Sequence, residues 1–387
     1  MIKFDFSGAS LFLNDSQLKK YDTFSHADIT GDCVIDCFKY AILPGFVDVH
    51  VHFRQPGFSY KETIASGSAA AARSGYFAVC TMPNLNPVPD TLDNLRLQLD
   101  IIEKDAKINV LPFGSITKGQ KGNELSELEA LAPYVCGFSD DGVGVNDRGL
   151  MREAMQRAYA LNKVISAHCE DNSQIKDSPE AEWRQIERDI KLADETKVKY
   201  HVCHVSTKES ISLIRDAKKS GVNITCETAP HYLTFSSSDV RDDGRYRMNP
   251  PIRELDDKLA MLEGVCDGTV DMIATDHAPH SAEEKSKGLK SLNGIVGLEV
   301  AFPVLYTELV KKGLISLDRL VRLMSYAPSE RFDVELNGFN IFDLNEEYVI
   351  NVDEFASMGR CTPYENKRVF GKCIANVIGD RVVYIKA

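Results

Sequence analysis

The feature that most limits the fold is a repeated alternation of short apolar runs with longer helical patterns. The runs are ILPGFVDVH (42–50), YFAVCTM (76–82), INVLPFGS (108–115), YVCGFSD (134–140), VISAHC (164–169), YHVCHVS (200–206), VNITCET (222–228) and VDMIATDH (270–277). Each is rich in Val, Ile, Phe or Cys and nearly continuous in hydrophobicity, as parallel strands buried on both faces are. Between them lie helical stretches such as 61–75, 91–105, 148–162 and 208–221. Several of these end on Gly or Asn, the residues that tolerate the left-handed turn closing a helix. Eight strand signals, most followed by a helix, predict an α/β fold of the (β/α)₈ TIM-barrel type. A doubly wound sheet is the competing arrangement, but no Gly-rich turn follows an early strand.

The flanks read differently. Residues 1–40 and the stretch from about 336, with FNIFDLNEEYVI and GKCIANVIGDRVVYI, alternate polar and apolar residues between turn signals. They predict short antiparallel strands that meet beside the barrel. The expected division is a catalytic barrel over 43–335 and a small composite β domain built from 1–42 and 336–387.

Charge and composition restrict the partners. The 387 residues carry 45 Lys and Arg against 57 Asp and Glu, a net charge of −12. That balance argues against nucleic acid or an anionic membrane as the main partner. An anionic small substrate would need a local cationic site. No apolar run approaches the ~18–20 residues of a membrane span. The start, MIKFDFSGASLFL, lacks the basic region, long apolar segment and cleavage site of a secretory signal. The 10 cysteines are scattered, with no CxxC pair, so a reduced, cytoplasmic protein is expected.

Histidine placement carries the chemistry. His50 and His52 form an HxH pair at the end of the first predicted strand, where residues two apart point the same way and reach one ion. His168 ends the fifth strand, His204 the sixth and Asp276 the eighth, while Asp140 and Asp141 end the fourth. Taken alone, an HxH pair is weak evidence, and a single buried histidine is usually a satisfied core residue. Their joint arrangement is different: these groups are costly to bury unpaired, and all fall at the barrel face where active sites form. Imidazole with carboxylate suits Zn²⁺ or a similar divalent ion.

The motifs DVHVHFRQPG (48–57), TMPN (81–84), FSDDG (138–142), AHCED (167–171), HVST (204–207), MNPP (248–251) and ATDHAPH (274–280) resemble those of dihydroorotases. The likeness is to the bacterial type I branch, within the metal-dependent amidohydrolase superfamily, and runs from residue 41 to about 385. It implies reversible, zinc-dependent ring closure of N-carbamoyl-L-aspartate to L-dihydroorotate, a step of pyrimidine synthesis. It further implies that His50, His52, Asp141, His168, His204 and Asp276 hold one or two Zn²⁺ ions, with Asp141 bridging where related enzymes use a carboxylated lysine. Asp276 would also be the catalytic base. Arg54, with Asn84 and His280, would hold the substrate carboxylate. His52, Asn249 and the backbone at Asn293 and Gly294 complete the implied substrate contacts.

Asn84 and Asn249 each adjoin proline, where a purely structural turn is the alternative. The polar stretch 281–293 follows His280 and is either an exposed loop or a lid. Lys118 and Lys121 have the wrong spacing for a phosphate loop and read as surface residues. A departure from the family is LNGIVGLEV, which replaces the usual Pro or Phe-Gly before the GxxGxE segment. The contacts implied there are backbone ones, so the change should matter little. The rival functions are another cyclic amidase, of allantoinase or dihydropyrimidinase type, and a catalytically silent homologue. The substrates of those amidases lack a carboxylate for Arg54. A homodimer, and association with aspartate carbamoyltransferase or other pyrimidine-pathway enzymes, are open to such a chain.

Overall fold

The computed structural model describes residues 2–13, 23–24 and 33–386. His26 and much of the expected N-terminal part of the β domain lie outside the described residues. The N-terminal strands are β1 (Ile2–Asp5), β2 (Ser10–Leu11), β3 (Thr23–Phe24), β4 (Cys33–Asp36) and β5 (Ala41–Pro44). Then come β6 (Phe46–Val51), β7 (Tyr76–Thr81), β8 (Asn109–Gly114) and β9 (Gly137–Phe138). They are followed by β10 (Val164–Ala167), β11 (Lys199–Val202), β12 (Ile224–Thr228) and β13 (Met272–Ile273). Strands β6 to β13 form one sheet in sequential order, and their ladders are parallel. A parallel bridge between Val51 and His277 closes it into the (β/α)₈ barrel.

The helices follow from local chemistry. Thr63, Thr91, Asp147, Ser178 and Thr207 cap the helices Ile64–Arg73, Leu92–Asp105, Arg148–Ala160, Pro179–Thr196 and Lys208–Lys219, each accepting from a backbone N–H of the first turn. Gly75 and Gly221 take positive φ just past two of the helix ends. Apolar faces of these helices pack on the outside of the barrel, with Ile64, Leu95, Met151, Ile186 and Ile211 in one continuous core. Inside the barrel, Val47, Phe77, Phe113, Val164 and Met272 form a second cluster with Phe332. The Phe332 ring stands edge-on to Phe113 at 5.9 Å and to His201 at 5.4 Å.

The chain ends do meet. C-terminal β14 (Gly338–Val349), β15 (Arg368–Ile378) and β16 (Arg381–Ile385) join β5 and β2 in a sheet ordered β16-β15-β14-β5-β2. The expectation of short antiparallel strands holds only in part. β14 and β15 are 12 and 11 residues long, and β2–β5 and β1–β4 pair in parallel. The long connections from β1 to β4 and from β2 to β5 give the chain room for a parallel crossover, which adjacent hairpin strands lack.

Two buried asparagines fasten this sheet to the barrel. Asn340 and Asn376 lie opposite each other on β14 and β15. Asn340 Nδ2 donates to Gly75 O (2.6 Å) and Pro44 O (3.2 Å), and Asn376 Nδ2 to Ala72 O (3.0 Å) and Tyr76 O (2.9 Å). Gly75 has φ +86, and a Cβ there would meet Asn340 Nδ2 at 2.9 Å. Asn376→Ala removes the donor for two buried carbonyls and should lower stability by about 1–3 kcal/mol. The check is the midpoint of urea unfolding, with an unchanged slope.

Candidate active site

The C-terminal ends of the barrel strands bring six acid and histidine side chains into one buried cluster. His50 lies within β6 and His52 just past it, Asp141 follows β9, His168 β10, His204 β11 and Asp276 β13. All six are at most 6% exposed. His50 Nε2 is 3.3 Å from Asp141 Oδ1 and 3.6 Å from Asp276 Oδ1. His52 Nε2 is 3.5 Å from Asp141 Oδ2 and 3.2 Å from Asp276 Oδ1. His204 Nε2 and His168 Nδ1 approach Asp141 Oδ1 at 3.4 and 3.6 Å. Asp141 is therefore central, with histidines of both halves around it.

These separations fit a metal. Donors bonded to one tetrahedral ion at about 2.0–2.1 Å stand roughly 3.3–3.4 Å apart. His50, Asp141 and His204 form one group of converging donors, and His50, His52 and Asp276 another. His50, Cys203 and Glu227 also converge, but there the 2.7 Å contact of His50 Nδ1 with Glu227 Oε1 is a hydrogen bond. His50 Nε2 is buried without a hydrogen-bond partner and faces both carboxylates. Burial alone would lower the His50 pKa, yet Asp141 and Glu227 raise it well above the ordinary value. Burial would likewise raise Asp141, but His50, His168 and His204 hold it well below the usual carboxylate range. The cluster is thus built for a cation at its centre.

Carboxylates behind the cluster set the histidine tautomers. Glu227, fully buried on β12, accepts from His50 Nδ1, from His201 Nε2 (3.1 Å) and from His204 N (3.1 Å). Glu170 stands 3.2 Å from His168 Nε2 and accepts from Asn249 Nδ2 at 3.2 Å. The hydrogen bond from His168 lowers the Glu170 pKa to about 2. Burial would lower His168, but the hydrogen bonds and charges of Asp141 and Glu170 raise it to about 9. Neither glutamate was assigned a role from sequence. Glu227 was visible as the one acid inside the apolar run VNITCET, and Glu170 lay within AHCED. Asp140, beside Asp141, is turned away and accepts from Ile116 N and Thr117 N. The Ser and Thr of HVST cap Glu182, which takes the Ser206 and Thr207 N–H groups at 3.0 and 3.1 Å and fixes the loop behind His204.

A cleft of about 190 Å³ opens on this cluster. His52, Asp141, His168, His204 and Asp276 line it, with Arg54, Asn84, Asn249, Asn293 and Gly294. Arg54 (φ +58), His204 (+33) and Asp276 (+47) hold left-handed backbone conformations uncommon for such residues. Asn84 Nδ2 donates to Asp141 O (2.5 Å), while its buried Oδ1 makes no hydrogen bond. His280 is not part of the lining but backs Arg54, with Nε2 3.4 Å from the guanidinium and 2.7 Å from Asn293 O, to which it donates. Burial, Arg54 and Lys61 lower its pKa to about 4, so the ring is neutral. Lys61 and Glu284, not singled out from sequence, pair at 3.0 Å beside it. The stretch 281–293 is folded against the site, with a 3₁₀ turn at Gly288–Lys290. Lys118 is paired with Glu124 on the surface.

The fold is shared with solved structures of other proteins. L-hydantoinase (dihydropyrimidinase) from Arthrobacter aurescens superposes with a TM-score of 0.83 at 24% identity, covering 94% of this chain and 89% of that one. D-hydantoinase from Thermus sp. superposes at 0.83 with 20% identity, covering 100% and 96%. A dihydro-orotase-like family model matches residues 40–182. Dihydroorotase of Fusobacterium nucleatum is 44% identical over 98% of this chain and 95% of its own length. That of Staphylococcus epidermidis is 44% identical over 97% and 95%. The chain belongs to the dihydroorotase family and is a cyclic amidohydrolase.

The hydrogen bond from His50 to Glu227 yields a direct expectation. Glu227→Gln keeps the shape but removes the charge that fixes His50 with Nε2 unprotonated. Metal affinity should fall about 10–100-fold in a folded protein. Competition with a chelator, followed by metal analysis, measures it.

Proposed function

We propose that this chain is a dihydroorotase that interconverts N-carbamoyl-L-aspartate and L-dihydroorotate, using Zn²⁺. The observation that supports this most is the 44% identity to the Fusobacterium dihydroorotase across 98% of the chain. Arg54 in the cleft agrees with it, because a guanidinium there suits a substrate carboxylate. The residues 43–335 are proposed as the catalytic unit, with 1–42 and 336–387 as one composite β unit.

The proposed ligands are His50, His52, Asp141, His168, His204 and Asp276, holding one ion or two bridged by Asp141. When bound, Zn²⁺ polarises a carbonyl oxygen and lowers the pKa of water. The protein's own residues supply the rest. Arg54 takes the substrate carboxylate, with Asn84 and His280 at the same end. Asn249 and the backbone of Asn293 and Gly294 hold the ring, with His52 beside the reacting carbonyl. In the hydrolytic direction Asp276 accepts a proton from the attacking water and passes it to the departing ring nitrogen. Ring closure runs the same transfers backwards. Burial opposes ionisation of Asp276, but the His52 hydrogen bond and the His50 and His204 charges hold its pKa below the usual value. It is therefore ionised, and able to accept a proton, at neutral pH.

Turnover of dihydroorotate against dihydrouracil tests the reading and separates it from the dihydropyrimidinase alternative. The wild type should strongly prefer dihydroorotate, and Arg54→Met should abolish that preference. A charged hydrogen bond is worth about 1.5–3 kcal/mol, so kcat/KM for dihydroorotate should drop about tenfold to over a hundredfold. Equal losses on both substrates would make Arg54 structural. Asp276→Asn cannot carry the proton and should stop both directions while most of the metal stays bound. Near-normal turnover by that variant would remove Asp276 from the proton transfer.

A further inference from the structure

Lys285 lies in the polar stretch after His280, yet it is only 7% exposed. Its ammonium donates to three backbone carbonyls: Arg247 O (3.0 Å), Leu292 O (2.8 Å) and Gly294 O (2.6 Å). The Gly294 N–H adds a bond to the same Arg247 O at 3.0 Å. One of the joined segments leads into Asn249, and the other carries Asn293 and Gly294. All three of these residues line the cleft. Gly294 has φ +132, and a Cβ there would meet Ala278 O at 2.5 Å, so this wall tolerates little displacement. Burying an ammonium is costly, and here three backbone carbonyls offset that cost. Burial lowers its pKa to about 8, which registers that cost.

We propose that Lys285 is a positioning residue for the substrate ring, clamping the 292–294 segment to the 247–249 segment so that the ring-binding groups keep a fixed spacing. This rests on the dihydroorotase reading and concerns the wall of the cleft formed by Asn249, Asn293 and Gly294. Lys285 does not line the cleft, and its hydrogen bonds go to backbone carbonyls rather than to the ligand side chains. Its loss should therefore loosen the ring site and leave the metal in place.

The test uses zinc-loaded enzyme carrying Lys285→Met or Lys285→Gln, with metal content, thermal melting, kcat and KM measured on each preparation. Metal content should match the wild type. KM for dihydroorotate should rise at least about tenfold in Lys285→Met with kcat changed less than about threefold, and Lys285→Gln, which keeps two donors, should fall between. In Lys285→Ala, added propylammonium should bring KM back toward the wild-type value, and 1-propanol should not. A KM within about twofold of wild type in Lys285→Met would overturn the proposal. So would loss of metal in step with activity, or loss of cooperative melting in both variants, which would make Lys285 a folding residue. A wild-type enzyme that turns over dihydrouracil but not dihydroorotate would overturn the functional reading itself, and is seen before any variant is compared.

Discussion

Glu227 is a fully buried carboxylate on the seventh barrel strand, and the charged end of the barrel is organised around it. It accepts from His50 on the first strand, from His201 on the sixth and from the backbone of His204 just beyond. An unpaired carboxylate at that depth would cost several kcal/mol or would take up a proton. Burial pushes its pKa up, but His50 and His201 hold it well below the usual range. One ionised group thereby fixes one histidine ring and one loop of the ligand cluster. It also links the cluster to the barrel floor, since His201 packs on Phe332.

Similar arrangements surround the rest of the site. Glu170 joins His168 to Asn249, so a metal ligand and a ring-contact candidate share one anchor. Glu182 collects the N–H groups after His204. Glu62, also buried, receives the Met358 N–H and lies 3.5 Å from His277, the residue that closes the barrel. Each buried acid is matched by several donors, the condition under which a charge in the interior holds a geometry rather than disrupting it. The left-handed backbone at Arg54, His204 and Asp276 is held against this frame.

The small β sheet acts on the barrel mechanically. Its asparagines supply hydrogen bonds to carbonyls of the turn between the first helix and β7, while Phe342 packs on Phe46 and Phe302 at 5.6 and 4.3 Å. The start of β6, whose other end carries His50 and His52, is thus gripped by the C-terminal strands.

Much of this was legible in the sequence because it depends on local pattern. Strands buried on both faces must be continuously apolar, helix starts need a capping oxygen, and ligands must follow strand ends; 42–50, 164–169 and 270–277 each showed two of these at once. Strand ends therefore mark His50, His52, His168, His204 and Asp276 as ligand candidates, while the choice of Asp141 over Asp140 came from the resemblance to dihydroorotases. What local pattern could not show was pairing between distant segments. Glu227 read only as part of a strand, and Lys285 only as one of the charged residues of 281–293, a stretch open to being a loop or a lid. The parallel pairing of β2 with β5 was hidden for the same reason. Burial and hydrogen-bond partners belong to the folded chain, so only the tertiary structure decided which charged residues are internal and what each one holds in place.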